Sequence, residues 1–98
     1  MVSCTSEDRI VVDAGWKSAS CDNGAPVLKG IDGAAFAFAG DEHGKLSLPA
    51  ETRVSAGDKL ELVPSHCDTT VNLYDQYVCV RKGRVEAIWP VAARGRTQ

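Results

Sequence analysis

An imidazole and a carboxylate stand two residues apart at His66 and Asp68, in a polar tract that runs from Pro64 to Asp75. In extended chain, side chains two residues apart project to the same face, so His66 and Asp68 are expected to point together while Cys67 points away. An imidazole suits Zn²⁺, Mn²⁺ and Fe²⁺, a carboxylate suits harder ions, and two protein ligands leave positions for water or a substrate oxygen. The spacing predicts an open site for one divalent metal ion.

The same short tract has other interpretations. A His and an Asp in a loop often cap turns or hydrogen-bond to nearby backbone, with no metal involved. Cys67 lies between the two proposed ligands and becomes an alternative ligand if the backbone at this point is not extended. The sequence leaves these alternatives open.

Three further polar residues are candidates for supporting roles. Tyr74 and Asp75 follow the tract closely, and we expect them to make hydrogen bonds that orient His66. His43 lies in the segment Asp41-Glu42-His43-Gly44 and is a candidate catalytic base. A His before Gly is more often a locally bonded turn residue, and we favour that interpretation for His43.

The elements that must position these residues are short and β-like. Runs rich in β-branched residues are separated by Gly, Asp and Pro, and no stripe of helical period is present. One turn of helix is compatible with residues 69–72, capped by Asp68 or Thr69. The fold class predicted is all-β, a mainly antiparallel sheet or small open barrel with at most one short helical turn. Extended segments are expected at residues 9–13, 17–20, 34–39, 45–49, 59–63, 77–80 and 85–91, with a hairpin turn at Gly83 between the last two.

Composition excludes several classes of partner. The chain has 98 residues, enough for one small domain, and 11 basic against 13 acidic residues give a net charge of -2. This balance predicts no nucleic-acid partner, and no apolar run suits a membrane-spanning helix. The N-terminal residues do not resemble a secretory signal, so the four cysteines are expected to be free thiols in a cytoplasmic protein.

Motifs along nearly the whole chain resemble the C-terminal domain of D-threonine aldolases and eukaryotic-type D-serine dehydratases. The His66-x-Asp68 pattern matches the metal-binding motif of the aldolases, whereas related dehydratases place a Cys where Asp68 stands here. The other matching segments occur in the family's order. They are residues 12–20, 41–44, 77–81 and 85–95.

The resemblance implies a role in a larger enzyme of the fold-type III, alanine-racemase-like group. Residues 1–98 would form a single β-domain, the C-terminal fragment of a homodimer whose preceding α/β barrel binds pyridoxal phosphate. His66 and Asp68 would hold Mn²⁺, Zn²⁺ or Mg²⁺ beside the β-hydroxyl of a D-amino acid, which is cleaved to glycine and an aldehyde.

Two other functions are kept beside the aldolase. The same domain could serve a D-serine or D-3-hydroxyaspartate dehydratase, although Asp68 favours the aldolase. A stand-alone, non-catalytic binding or dimerisation module is the alternative of a different class. On the aldolase interpretation, this chain by itself is expected to be inactive.

Overall fold

The computed structural model describes residues 3–6 and 9–96. The elements are β1 (Ser3–Ser6), β2 (Arg9–Val12), β3 (Val27–Leu28), β4 (Ala35–Phe38), β5 (Gly44–Ser47), β6 (Leu62–Val63), α1 (Cys67–Val71), β7 (Gln76–Arg81) and β8 (Arg84–Pro90). Four strands form the main antiparallel sheet in the order β1-β2-β5-β4, and β3 with β6 and β7 with β8 form two separate two-stranded sheets.

The hydrophobic core covers one face of the main sheet. Ile10 on β2, Leu46 on β5 and Phe36 on β4 lie in register across three neighbouring strands, and all three are buried. Buried and more exposed positions alternate along β2 and β5, which is the pattern of a sheet with one face toward the core. Leu28, from outside this sheet, joins the same core cluster.

The β3–β6 pair carries the chain from the core to the polar tract. Leu28 pairs with Leu62 and Val27 with Val63, so both β6 residues lie in antiparallel register with β3. Leu62 packs against the core cluster. The chain leaves β6 at Pro64, and His66 therefore follows a segment that is fixed to the core.

The β7–β8 hairpin is a separate two-stranded sheet. Its connection has positive φ at Lys82 (50°) and Gly83 (74°), as a two-residue type I′ turn requires. Two cross-strand pairs place four aliphatic side chains on one face, each more than half exposed: Val78, Val80, Val85 and Ile88. We call these four residues the aliphatic face.

The predicted fold class is confirmed. The described residues form antiparallel sheets with one short helix and without a closed barrel. The strands expected at residues 9–13, 34–39 and 45–49 and in the closing hairpin are present with small changes at their ends. In the described part of the chain, no helix is long and apolar enough to cross a membrane.

Two of the expected extended segments were wrong. Residues 17–20 form part of a turn, because the backbone N–H groups of Ser18 and Ala19 both donate to the carbonyl of Gly15. The segment expected at residues 59–63 is a strand only at Leu62 and Val63, although Lys29 N–H still donates to the Glu61 carbonyl at 2.8 Å.

Candidate metal centre

The backbone changes conformation between the two proposed ligands. His66 is the N-cap of α1 and is extended, with φ -141° and ψ 120°, whereas Cys67 and Asp68 already belong to the helix. The expectation of an extended chain through this tract was therefore wrong beyond His66, and neither Asp68 nor Thr69 is the cap residue. The two side chains nevertheless face each other, with 3.7 Å between His66 Nε2 and Asp68 Oδ2.

The other imidazole nitrogen of His66 is bound by Asp22. Asp22 lies in the turn at residues 21–24, and its Oδ2 is 2.6 Å from His66 Nδ1. An ionised carboxylate only accepts hydrogen bonds, so Nδ1 carries the proton and donates it to Asp22. In the neutral ring, Nε2 then presents its lone pair toward Asp68.

The gap between His66 Nε2 and Asp68 Oδ2 fits a cation. At 3.7 Å the two atoms are too far apart for a hydrogen bond, and a neutral imidazole would set two acceptors against each other. Metal bonds of about 2 Å to each ligand can span this separation. One imidazole and one carboxylate are suitable donors for a divalent ion, and both are accessible, with 40% and 82% of their side chains exposed.

The bond between His66 and Asp22 shifts the pKa values of both residues. The hydrogen bond from His66, followed by that from Thr69, lowers the pKa of Asp22 to about 2. The hydrogen bond to Asp22, with the charge of that carboxylate, raises the pKa of His66 above its ordinary value. A metal ion must therefore compete with a proton at His66.

Cys67 is placed as a donor to one of the proposed ligands. Its Sγ donates to Asp68 Oδ1 at 3.1 Å, and this bond is the main cause that raises the pKa of the thiol. A thiolate is the form that binds metals, so this arrangement favours Asp68 over Cys67 as the ligand. Among the described residues, no three His, Cys, Asp or Glu side chains form a complete metal-binding group. The candidate centre thus consists of two possible ligands, His66 and Asp68.

Three candidates from the sequence make contacts away from His66. The Tyr74 hydroxyl donates to the Ser18 carbonyl at 2.7 Å, and Asp75 pairs with Arg94 at 2.8 Å. His43 lies in the turn between β4 and β5, where its carbonyl accepts the N–H of Ala39. The side chain that holds the His66 ring is Asp22, which the sequence analysis did not single out. Asp22 is followed by Asn and Gly, which is the signature of an ordinary turn.

Comparisons with known proteins agree with this architecture. Residues 1–80 match the family model described as "Putative serine dehydratase domain". The chain is 48% identical over 86 residues to the 3-hydroxy-D-aspartate aldolase of Paracoccus denitrificans (strain Pd 1222), covering 88% of this chain and 22% of that relative. It is 42% identical over 96 residues to a D-threonine aldolase of Arthrobacter sp, covering 97% of this chain and 25% of the relative.

A solved structure is also similar to this chain. The crystal structure of D-threonine aldolase from Filomicrobium marinum superposes with a TM-score of 0.87 at 41% identity, covering 96% of this chain and 26% of that one. The chain thus spans about a quarter of the length of the relatives it matches. Since the family model matches most of its residues, the chain belongs to the serine dehydratase domain family, and relatives that it matches are named as D-threonine and 3-hydroxy-D-aspartate aldolases.

Proposed function

We propose that this chain is the C-terminal domain of a lyase that uses pyridoxal phosphate and a divalent metal to cleave β-hydroxy-D-amino acids. The reaction is that of a D-threonine aldolase, giving glycine and an aldehyde. The observation that carries the proposal is the open pair formed by His66 Nε2 and Asp68 Oδ2, held 3.7 Å apart with both side chains accessible.

The chemistry requires a proton to leave the substrate's β-hydroxyl as the Cα–Cβ bond breaks. The oxygen forms the aldehyde carbonyl, and the electron pair left on Cα is later protonated to give glycine. His66 and Asp68 would hold a divalent ion, which would supply a Lewis acid that lowers the pKa of the hydroxyl, and pyridoxal phosphate would supply the electron sink for Cα. The exposure of His66 and Asp68 leaves room for the substrate oxygen.

The rest of the active site would come from a preceding barrel domain, which on this proposal binds the pyridoxal phosphate. Asp68, with 82% of its side chain exposed, is open to such a neighbour. The aliphatic face on the β7–β8 hairpin also supports docking, since a two-stranded hairpin with exposed Val and Ile is marginal alone in water. Burial against the barrel, or against the second subunit of a homodimer, would remove these side chains from water.

Dehydration is the second candidate, because the matching family model is described as a serine dehydratase domain. The same ligand pair beside the β-oxygen would then assist the departure of hydroxide instead of the loss of a proton. The two reactions differ in their products. Glycine and acetaldehyde from D-threonine identify the aldolase, and a 2-oxo acid with ammonia from D-serine identifies the dehydratase.

The test is substitution in the parent enzyme that carries this domain. His66→Ala and Asp68→Ala are expected to abolish metal-dependent cleavage of D-threonine and to lower the bound metal, with an unchanged circular dichroism spectrum. Asp32→Asn, at an exposed turn position, is the matched control. Cys67→Ser tests the alternative ligand, since losses equal to those of His66→Ala would assign the thiol instead.

The result that contradicts the proposal is equally definite. If both ligand variants cleaved D-threonine as the unsubstituted enzyme does, His66 and Asp68 would be turn residues only. If the natural polypeptide also proved to have the length of this chain, the non-catalytic binding or dimerisation module would be the better interpretation.

A further inference from the structure

We propose that Asp22 is a positioning residue, which holds the imidazole of His66 as the Nδ1–H tautomer and thereby aims Nε2 at the gap facing Asp68. A chain of hydroxyl groups on Thr69, Ser20 and Thr70 holds Asp22 in turn. The part of this inference that concerns metal binding rests on the proposed function. Its structural part, the choice of tautomer, stands on the hydrogen bonds alone.

The hydroxyl protons of this network point toward Asp22. Thr69 Oγ1 donates to Asp22 Oδ1 at 2.7 Å, because a carboxylate cannot donate. The Thr69 proton is then used, so the single Ser20 hydroxyl proton goes either to Thr69 Oγ1, 2.5 Å away, or to Asp22, with which Ser20 also hydrogen-bonds. The Thr70 hydroxyl, 3.0 Å from Ser20 Oγ, donates to Ser20. All the protons therefore point toward Asp22, which receives Thr69 on one oxygen and His66 on the other.

The backbone on both sides of Asp22 is fastened to the segment that carries His66. On one side, the Ser20 N–H donates to Thr70 Oγ1 at 3.1 Å, and Thr70 is buried. On the other side, the Ser65 hydroxyl donates to the Gly24 carbonyl at 2.6 Å. A lone exposed His–Asp pair would be free to change rotamers. Here Asp22 is fixed at both ends of its turn, so its carboxylate defines the position of the ring.

This arrangement predicts a specific loss when the carboxylate is removed. A carboxylate that accepts the second N–H of a metal-binding imidazole fixes the tautomer and raises the ring's basicity, and losing it typically costs about 10- to 100-fold in metal affinity. Asp22→Asn keeps the shape of the side chain but removes its charge, so a loss in this range is expected. Thr69→Val removes the donor to Asp22 and the bond to Ser20 but leaves the Asp22 carboxylate in place, so a smaller loss is expected.

The test measures tautomer and metal affinity separately in the 98-residue protein. Nitrogen-15 NMR of the metal-free protein, at a pH where His66 is neutral, reports which ring nitrogen carries the proton. We expect Nδ1–H in the unsubstituted chain and a shift toward Nε2–H in Asp22→Asn. Calorimetric titration with Mn²⁺ and Zn²⁺, carried to millimolar metal because two ligands bind weakly, gives the affinity. Asp32→Asn is the control, and circular dichroism checks folding.

The possible results separate this inference from the proposed function. An unchanged tautomer in Asp22→Asn would overturn the positioning role. So would a shifted tautomer with unchanged affinity, in a protein whose unsubstituted form binds metal. If the unsubstituted chain bound neither ion up to millimolar concentration while its tautomer depended on Asp22, the tautomer assignment would stand, and the claim that His66 and Asp68 suffice to hold a metal ion, which carries the proposed function, would be wrong.

Discussion

Replacing Leu46 by Ala should be among the most destabilising single changes in this domain. Leu46 is 1% exposed on β5, one of the two inner strands of the main sheet, between its cross-strand neighbours Ile10 and Phe36. The substitution removes three buried carbons, which at about 0.8 kcal/mol each amounts to roughly 2.4 kcal/mol of lost burial. The cavity left between two packed neighbours adds to this, so we expect a loss of about 3 to 4 kcal/mol in the free energy of unfolding.

The assay is urea unfolding followed by far-ultraviolet circular dichroism. A loss of this size is a large share of the roughly 5 to 15 kcal/mol typical of a domain, and it should lower the melting temperature by more than about 10 °C. Leu73→Ala is the matched control, since Leu73 is 38% exposed just after α1 and should cost less than half as much. Equal losses for the two variants, or a loss below about 1 kcal/mol for Leu46→Ala, would refute the placement of the core under β5.

Three further changes test other parts of the fold. Gly15→Ala would set a Cβ 2.5 Å from the backbone carbonyl of Asp41, which cannot rotate away. Thermal unfolding should therefore show a loss of about 1 to 3 kcal/mol or more in the free energy of unfolding, and an unchanged melting temperature would contradict this close approach. A Cβ added by Gly83→Ala would meet no other atoms, but the residue must keep φ near 74°. Hydrogen exchange should therefore show the hairpin amides opening at a free-energy cost lower by about 1 kcal/mol, and unaltered exchange would argue against the type I′ turn. The double variant Val80→Thr with Ile88→Thr should reduce self-association in sedimentation while leaving the melting temperature unchanged; association equal to that of the unsubstituted chain would exclude the aliphatic face as a contact surface.

The strands could be predicted from sequence because their signals are local. Alternation of buried and exposed residues marks β2 and β5, and Gly83 after Lys82 marks the hairpin turn. The turn at residues 15–19 was missed because it depends on two N–H groups that share the Gly15 carbonyl, and the local sequence pattern does not predict these hydrogen bonds.

The candidate site shows the same division between local and distant information. The pair His66 and Asp68 is visible in the sequence because its two members are neighbours in the chain. Asp22 could not be found in this way, since its relation to His66 exists only after the chain has folded. Its own surroundings, with Asn and Gly following, indicate a turn and nothing more.

The distance along the chain between Asp22 and His66 has a consequence for the order of events during folding. The two residues are separated by 44 positions, so their hydrogen bond closes a long loop and carries the entropy cost of that closure. Before closure, nothing in the network selects a tautomer at His66. On the proposed function, correct orientation of the ring toward a metal ion would therefore be a property of the folded domain, and a nascent or partly unfolded chain would lack that advantage in competing for the ion.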